Sequence, residues 1–163
     1  MSIRNRIVVV DYGMGNIHSI VKKIKHLGGD VFVSSNSDEI LKSDKIILSG
    51  VGHFKQAMNN LRKSKLIDTL NQAALVQKKP ILGICLGMQL LFTESEEYGL
   101  FKGLNLIPGR VVKFKDSDSN LKIPHMGWNQ INPKNKSWKD TIIKNTDTKK
   151  NYFYFVHSFF SKP

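Results

Sequence analysis

The sequence contains a single cysteine, Cys85, among its 163 residues. An internal disulfide needs two cysteines, and zinc or iron–sulfur sites built from several thiolates need more, so neither is predicted and no metal site is expected. The lone thiol is then either an ordinary buried side chain, which is the commonest fate of a free cysteine, or a residue with a chemical role of its own.

Long hydrophobic runs are also missing. The longest, Ile81–Phe92, is interrupted by glycines and by Gln89, and it is too short to cross a bilayer. The start of the chain does not have the pattern of a signal peptide, so we expect a cytoplasmic protein with no membrane contact. The apolar and charged fractions, 40% and 23%, are average for globular proteins, and with this length they predict one folded domain over residues 1–163.

Acidic residues are scarce. The sequence has 13 Asp and Glu against 25 Lys and Arg, which gives a formal net charge of +12. Such an excess is common in proteins that bind nucleic acid. Here, however, the lysines are scattered or paired, no long basic run occurs, and no aromatic RNA-binding signature accompanies them. We therefore expect a lysine-rich, solvated surface and no nucleic-acid partner.

The first half of the chain alternates short β-branched runs with helical periods. Strands are predicted over Ile7–Val10, Val31–Ser34, Lys45–Ser49 and Pro80–Ile84, and helices over Ile17–Leu27, Ala57–Leu61 and Leu66–Val76. This order predicts an α/β fold with a doubly wound, mostly parallel sheet, whose functional groups gather at the carboxyl ends of the strands. Shorter strands over Arg110–Phe114, Gly127–Ile131 and Tyr152–Val156 are predicted to form an antiparallel extension of the same domain.

The segment Pro80–Phe92 carries the strongest chemical signal. Its apolar strand runs into Gly83-Ile84-Cys85-Leu86-Gly87, the spacing of a nucleophile elbow with cysteine in place of serine. A tight strand-to-helix turn needs residues without a Cβ on both sides of the nucleophile, and roughly 0.5% of cysteines would have both glycines by chance. We interpret Cys85 as a nucleophile and the backbone N–H of Leu86 as an oxyanion donor.

Two glycine-rich loops follow other predicted strands. Ser49-Gly50-Val51-Gly52 would lie beside the elbow in a parallel sheet and could supply a second oxyanion donor, although a plain turn would use the same glycines. The loop Asp11–Asn16 lacks the third glycine of a dinucleotide fingerprint, because that position is His18, so no dinucleotide cofactor is predicted.

These segments, together with PHMGWN (124–129) and YFVHSF (154–159), resemble the class I, or triad-type, glutamine amidotransferases. The greatest similarity is to the glutaminase subunit of imidazole glycerol phosphate synthase, the glutaminase–cyclase pair of histidine biosynthesis, and it extends from Ile7 to Phe159. The resemblance implies hydrolysis of glutamine to glutamate and ammonia through a thioester on Cys85, without a cofactor. It also implies a heterodimer in which a cyclase or other synthase subunit receives the ammonia.

The resemblance also assigns roles to individual residues. Gly52 and Leu86 match the oxyanion site, and Gly50, Val51, Gly52 and Gln89 match glutamine-binding positions. The positions that match the side facing the partner are Asn16, Met126, Trp128 and Asn129. Trp128 is the natural anchor of such an interface, with an indole buried in the core as the alternative.

One element of the family is absent from the sequence. The family's general base is a histidine in a C-terminal His-Pro-Glu element, and the sequence contains no His-Pro-Glu. Attack by the thiol and departure of ammonia both need proton transfer, so a site without the base would be a poor catalyst. We expect the chain to be a fragment of a longer protein, truncated at its C-terminus. The alternatives are an inactive subunit that still binds the partner, and recruitment of another histidine such as His157.

A second departure is Ser49, where the family usually has proline. Serine keeps a backbone N–H and a freer φ beside the loop that must supply an oxyanion donor. This leaves open a paralogous glutaminase that supplies ammonia to a different synthase, for instance one that makes surface amino sugars.

Overall fold

The computed structural model describes residues 5–114, 122–133, 138–139, 141–147 and 150–163. The chain divides into two compact units, the first formed by Met1–Val112 with Ser161–Pro163 and the second by Lys113–Phe160. The single domain expected over residues 1–163 therefore remains a prediction, and the two units are described separately. In the ranges given above, no helix is both long enough and apolar enough to span a membrane.

The helices are α1 (Ile17–His26), α2 (Ser37–Lys42), α3 (Phe54–Lys63), α4 (Leu66–Asn71) and α5 (Leu86–Leu90), and a π-helical turn, Gln72–Val76, continues α4. The strands are β1 (Ile7–Val10), β2 (Val31–Ser34), β3 (Lys45–Gly50), β4 (Ile81–Cys85), β5 (Phe92–Ser95), β6 (Phe101–Lys102), β7 (Ile107–Lys113), β8 (His125–Asn129), β9 (Phe153–His157) and β10 (Phe159–Lys162). The strands and helices predicted for the first half are present, with ends shifted by a few residues. Helix α2 and strands β5, β6 and β10 were not predicted.

The central sheet is parallel, with four strands in the order β2-β1-β3-β4. Successive side chains of β1 point to opposite faces, as in any strand. Val8 and Val10 belong to a cluster that contains side chains of α2 to α5, whereas Val9 packs with the apolar stripe of α1. Helices therefore cover both faces of the sheet, which confirms the predicted doubly wound α/β fold.

A second sheet has the order β10-β7-β5-β6. Strand β7 pairs in parallel with β5 on one edge. On its other edge it runs antiparallel to β10, because the Phe114 N–H donates to the Ser158 carbonyl oxygen while Gly109 lies beside Lys162. The antiparallel pairing expected for Arg110–Phe114 is therefore found on the β10 edge. The strand β5, over Phe92–Ser95, begins directly after the five-residue helix α5. The pair β8 and β9 is antiparallel, as expected, and lies in the second unit.

Candidate active site

Cys85 lies where β4 ends and α5 begins. Its backbone has φ 54° and ψ −118°, a conformation that residues other than glycine rarely adopt. Such strain persists only where the surrounding structure holds it, and it is concentrated at functional sites. The Cys85 side chain is exposed, so a substrate can reach the thiol.

The glycines on either side of Cys85 leave no room for a side chain. A Cβ on Gly87 would lie 1.9 Å from the carbonyl oxygen of Leu48, and one on Gly83 would lie 2.4 Å from the Cα of Met88. Both contacts are with backbone that cannot move aside cheaply. The spacing of the motif thus follows from close packing of the turn against β3 and against its own helix.

The predicted oxyanion residues lie at the same edge of the sheet. Gly50, the last residue of β3, is opposite Cys85 in the parallel register, and both Gly50 and Leu86 are buried. Val51 and Gly52 follow in an exposed loop, and Gly52 has φ 107°, which favours glycine. Gln89 is half-buried in α5, one turn after Cys85. Their roles as donors and substrate contacts remain predictions.

Tyr12 is a site residue that the sequence did not reveal. Its hydroxyl donates a hydrogen bond of 2.8 Å to the carbonyl oxygen of Ser49, although the two residues are 37 positions apart. The ring is buried, with 2% of its surface exposed. Burial raises the pKa of the Tyr12 hydroxyl above its ordinary value, and the negative charge of a Cys85 thiolate raises this pKa further. The hydroxyl therefore keeps its proton and acts as a donor.

Glu97 is a second residue that the sequence did not reveal. Its carboxylate accepts a hydrogen bond of 2.6 Å from the backbone N–H of Phe54, the first residue of α3. The same carboxylate lies 3.5 Å from the Nδ1 of His53. The side chain of His53, at the N-cap position of α3, makes no capping hydrogen bond. The Glu97 carboxylate caps the helix instead, and this holds the loop between β3 and α3.

The five histidines have contacts or positions that do not mark any of them as the general base. His18 and His26 are exposed on α1, and His53 pairs with Glu97. His125 and His157 bond to each other, with Nδ1 of the first 3.1 Å from Nε2 of the second. No cluster of three or more His, Cys, Asp or Glu that could hold a metal ion occurs within the described ranges.

The predicted partner residues are divided between the units. Asn16 lies in the first unit, where its side chain caps α1 by accepting a hydrogen bond from the Ser19 N–H at 3.3 Å. Met126 and Trp128 lie on β8 in the second unit, with 59% and 67% of their surfaces exposed. The exposed indole shows that Trp128 is not a core residue. It packs edge-on against Tyr154, its neighbour on β9 in the two-stranded β8–β9 ribbon, with 5.4 Å between ring centroids.

Asn129 faces away from Met126 and Trp128. Side chains alternate along β8, and the Asn129 amide nitrogen lies 2.8 Å from Nε2 of His125. This contact begins a series of polar contacts. His125 bonds to His157, and Nδ1 of His157 lies 2.9 Å from the Phe159 carbonyl oxygen. The predicted partner residues of β8 therefore occupy two faces of the ribbon.

Comparisons with known proteins place the chain in a family. A family model described as glutamine amidotransferase class-I matches residues 8–163. A solved structure described as the crystal structure of glutamine amidotransferase aligns with a TM-score of 0.61 at 16% identity, covering 75% of this chain and 62% of that chain. At that identity the structure supports the fold alone, and this chain spans less than two thirds of its length. The chain belongs to the class I glutamine amidotransferases.

Named relatives narrow the class further. The chain is 46% identical to imidazole glycerol phosphate synthase subunit HisH 1 of Campylobacter jejuni subsp. jejuni serotype O:23/36 (strain 81-176), a match that covers 96% of this chain and 75% of the relative. It is 47% identical to the HisH subunit of Bacillus licheniformis, with 93% and 70% covered. It is 40% identical to that of Geobacter metallireducens, with 96% and 74% covered. The predicted similarity to the glutaminase subunit of imidazole glycerol phosphate synthase is thereby confirmed.

Proposed function

We propose that this chain is the glutaminase subunit of an imidazole glycerol phosphate synthase, acting in the cytoplasm on glutamine and supplying ammonia to a cyclase subunit. The observation that carries the proposal is the strained backbone of Cys85 between two glycines that cannot be replaced, at the end of a parallel strand. The relatives described above are subunits of imidazole glycerol phosphate synthase, which favours this synthase over another that uses ammonia.

The chemistry begins at the exposed thiol. The Cys85 thiolate attacks the side-chain carboxamide of glutamine, and the carbonyl oxygen becomes an oxyanion in a tetrahedral intermediate. The N–H of Leu86 and one N–H from the loop 50–52, with Gly52 as the matching position, stabilise that charge. Ammonia leaves with a proton, and water then cleaves the thioester to release glutamate. The proton transfers are assigned to no histidine of these 163 residues.

Transfer of ammonia requires a partner beside the site, since free ammonia is protonated and lost in water. An apolar strip formed by Met126, Trp128, Tyr154 and Val156 lies on one face of the β8–β9 ribbon, each side chain more than half exposed. Exposed aromatic and methionine side chains are enriched at protein interfaces. We assign this strip to the cyclase, with Asn16 as a contact on the first unit and Asn129 as a residue that holds the ribbon.

Affinity labelling tests the glutaminase site without depending on turnover. A chloromethyl ketone analogue of glutamine should attach once, at Cys85, and excess glutamine should slow the labelling. Cys85→Ala should remain unlabelled in an intact mass spectrum. Labelling that glutamine does not slow, or that survives in Cys85→Ala, would refute the proposed site.

A further inference from the structure

We propose that Tyr12 is a positioning residue of the glutaminase site, whose hydroxyl fixes the end of β3 so that the loop 50–52 can present a donor to the oxyanion at Cys85. The inference rests on the proposed function and adds a residue that neither the motif nor the family resemblance assigns. Tyr12 does not touch the reacting atoms in this account. It acts through the backbone of Ser49 and Gly50.

The hydrogen bond of Tyr12 is made to the last peptide group of β3. The accepting carbonyl, that of Ser49, belongs to the peptide that joins Ser49 to Gly50, the last residue of β3. Gly50 is the register partner of Cys85. A shift of this peptide would therefore move the start of the oxyanion loop relative to the nucleophile.

Packing around Gly50 supports the same role. A Cβ on Gly50 would lie 2.3 Å from the Tyr12 hydroxyl oxygen and 3.2 Å from the Cβ of Leu86. The tyrosine hydroxyl and the first residue of α5 thus both pack closely against the Gly50 backbone, where a side chain would otherwise stand. Glycine at this position is needed for the close approach of the hydroxyl.

The loop that carries Tyr12 touches the same segment at two further points. A Cβ on Gly15 would lie 2.9 Å from the Oγ of Ser49, and one on Gly52 would lie 3.0 Å from the terminal methyl of Met14. The Asp11 carboxylate in turn accepts a hydrogen bond of 3.0 Å from the Gly13 N–H, which fixes the turn after Tyr12. Tyr12 therefore presents its hydroxyl from a braced loop, and the bond to Ser49 is preorganised.

Two reagents distinguish positioning of the loop from a general effect on the thiol. With the chloromethyl ketone analogue of glutamine, the thiolate first adds to the carbonyl, whose oxygen becomes an oxyanion; the sulfur then displaces chloride from the neighbouring carbon and the carbonyl re-forms. Iodoacetamide loses iodide in one displacement at carbon and forms no oxyanion. Misplacement of an oxyanion donor by a fraction of an ångström slows only the first reaction. Both rates are measured on the full chain over the same pH range.

The variant is Tyr12→Phe, which keeps the ring and removes the hydroxyl. We expect its labelling by the ketone to fall about tenfold, with the iodoacetamide rate within about twofold of the original. Tyr152→Phe is the matched control, because the Tyr152 ring is exposed, and both of its rates should be unchanged.

An unchanged ketone rate in Tyr12→Phe would overturn the inference, and so would an equal fall in both rates, which is the result expected of a merely structural tyrosine. If the original chain shows no protection by glutamine, the proposed function itself fails and the inference fails with it. Selective labelling of the original chain with no effect of Tyr12→Phe would overturn the inference alone.

Discussion

Ser49 shows how a single buried atom affects stability at the edge of the site. Its Oγ is buried and finds no hydrogen-bond partner among the described residues, although the Ser49 carbonyl is bonded to Tyr12. A buried hydroxyl without a partner costs free energy, because it gives up its hydrogen bonds to water. The position that the family usually fills with proline thus carries a polar atom that the fold does not use.

Ser49→Ala should therefore stabilise the protein, by about 1 kcal/mol, in the free energy of unfolding measured with urea. Ser43→Ala is the matched control, because Ser43 is equally buried but its Oγ donates a hydrogen bond of 2.7 Å to the Ile40 carbonyl. Ser43→Ala should lower the free energy of unfolding by about 1 kcal/mol. A loss of stability in Ser49→Ala as large as that in Ser43→Ala would contradict this account of the buried hydroxyl.

The residues of the site differ in how far the sequence could predict them. Cys85 and its glycines could be found because the constraint on them is local, a turn within five consecutive residues. Tyr12 and Glu97 could not, because their partners Ser49 and Phe54 lie 37 and 43 positions away and depend on which strands are neighbours. The sequence feature that could have drawn attention to Glu97 is the adjacent pair Glu96 and Glu97 in a chain with few acidic residues. That feature does not indicate which group Glu97 binds.

At the scale of elements, the second sheet is held by a buried carboxylate. The Glu94 side chain on β5 is only 7% exposed, and it accepts from the Arg110 Nε on β7 at 2.6 Å and pairs with the Lys102 Nζ on β6 at 3.4 Å. A buried carboxylate that loses a partner remains charged in an environment of low polarity. The three strands are therefore joined through one side chain.

Arg110→Met should lower the free energy of unfolding by about 1 to 2 kcal/mol, less than for a fully buried pair because the Arg110 side chain is 58% exposed. Urea denaturation measures the change. In the control, Arg62→Met should change stability by less than about 0.5 kcal/mol, because Arg62 bonds only to Asn59 on the exposed face of α3 among its described contacts. Equal effects of the two substitutions would contradict the role of Glu94.

The apolar strip on the β8–β9 ribbon leads to a prediction about the partner. Trp128→Ala should weaken binding to the cyclase subunit at least about thirtyfold, because a large indole at the centre of an interface contributes about 2 kcal/mol or more. Isothermal titration with the purified cyclase measures the change. Ile142→Ala removes another exposed apolar side chain of the same unit and should have little effect. Equal weakening by both variants, or by neither, would argue against the strip as the interface.

Several elements escaped prediction for physical reasons. Helix α2 is six residues long, too short to show a periodic apolar stripe, and its one signal was the cap at Asn36, whose side chain accepts from the N–H groups of Asp38 and Glu39. Strand β5 has a helix-like apolar pattern before it, and its conformation depends on pairing with β7. The central strands could be predicted because burial on both faces leaves continuous β-branched runs.

At the scale of the whole molecule, the two units carry different parts of the proposed function. The first unit contains Cys85 as the proposed nucleophile, the proposed oxyanion loop 50–52 and Tyr12, and the second contains the apolar strip. The net charge of +12 has no assigned role in either unit. Substitution of Cys85 should therefore abolish hydrolysis and leave cyclase binding intact, whereas substitution of Trp128 should weaken cyclase binding.

The nucleophilic role of Cys85 is tested by the rate at which glutamate forms from glutamine when the chain is mixed with its cyclase subunit, compared between the original chain and Cys85→Ala. Cys85→Ala should reduce this rate to that of the cyclase subunit alone, because the attacking thiol is gone, while it binds the cyclase as tightly as the original chain does. Glutamate formation that persists in Cys85→Ala would show that Cys85 is not the nucleophile.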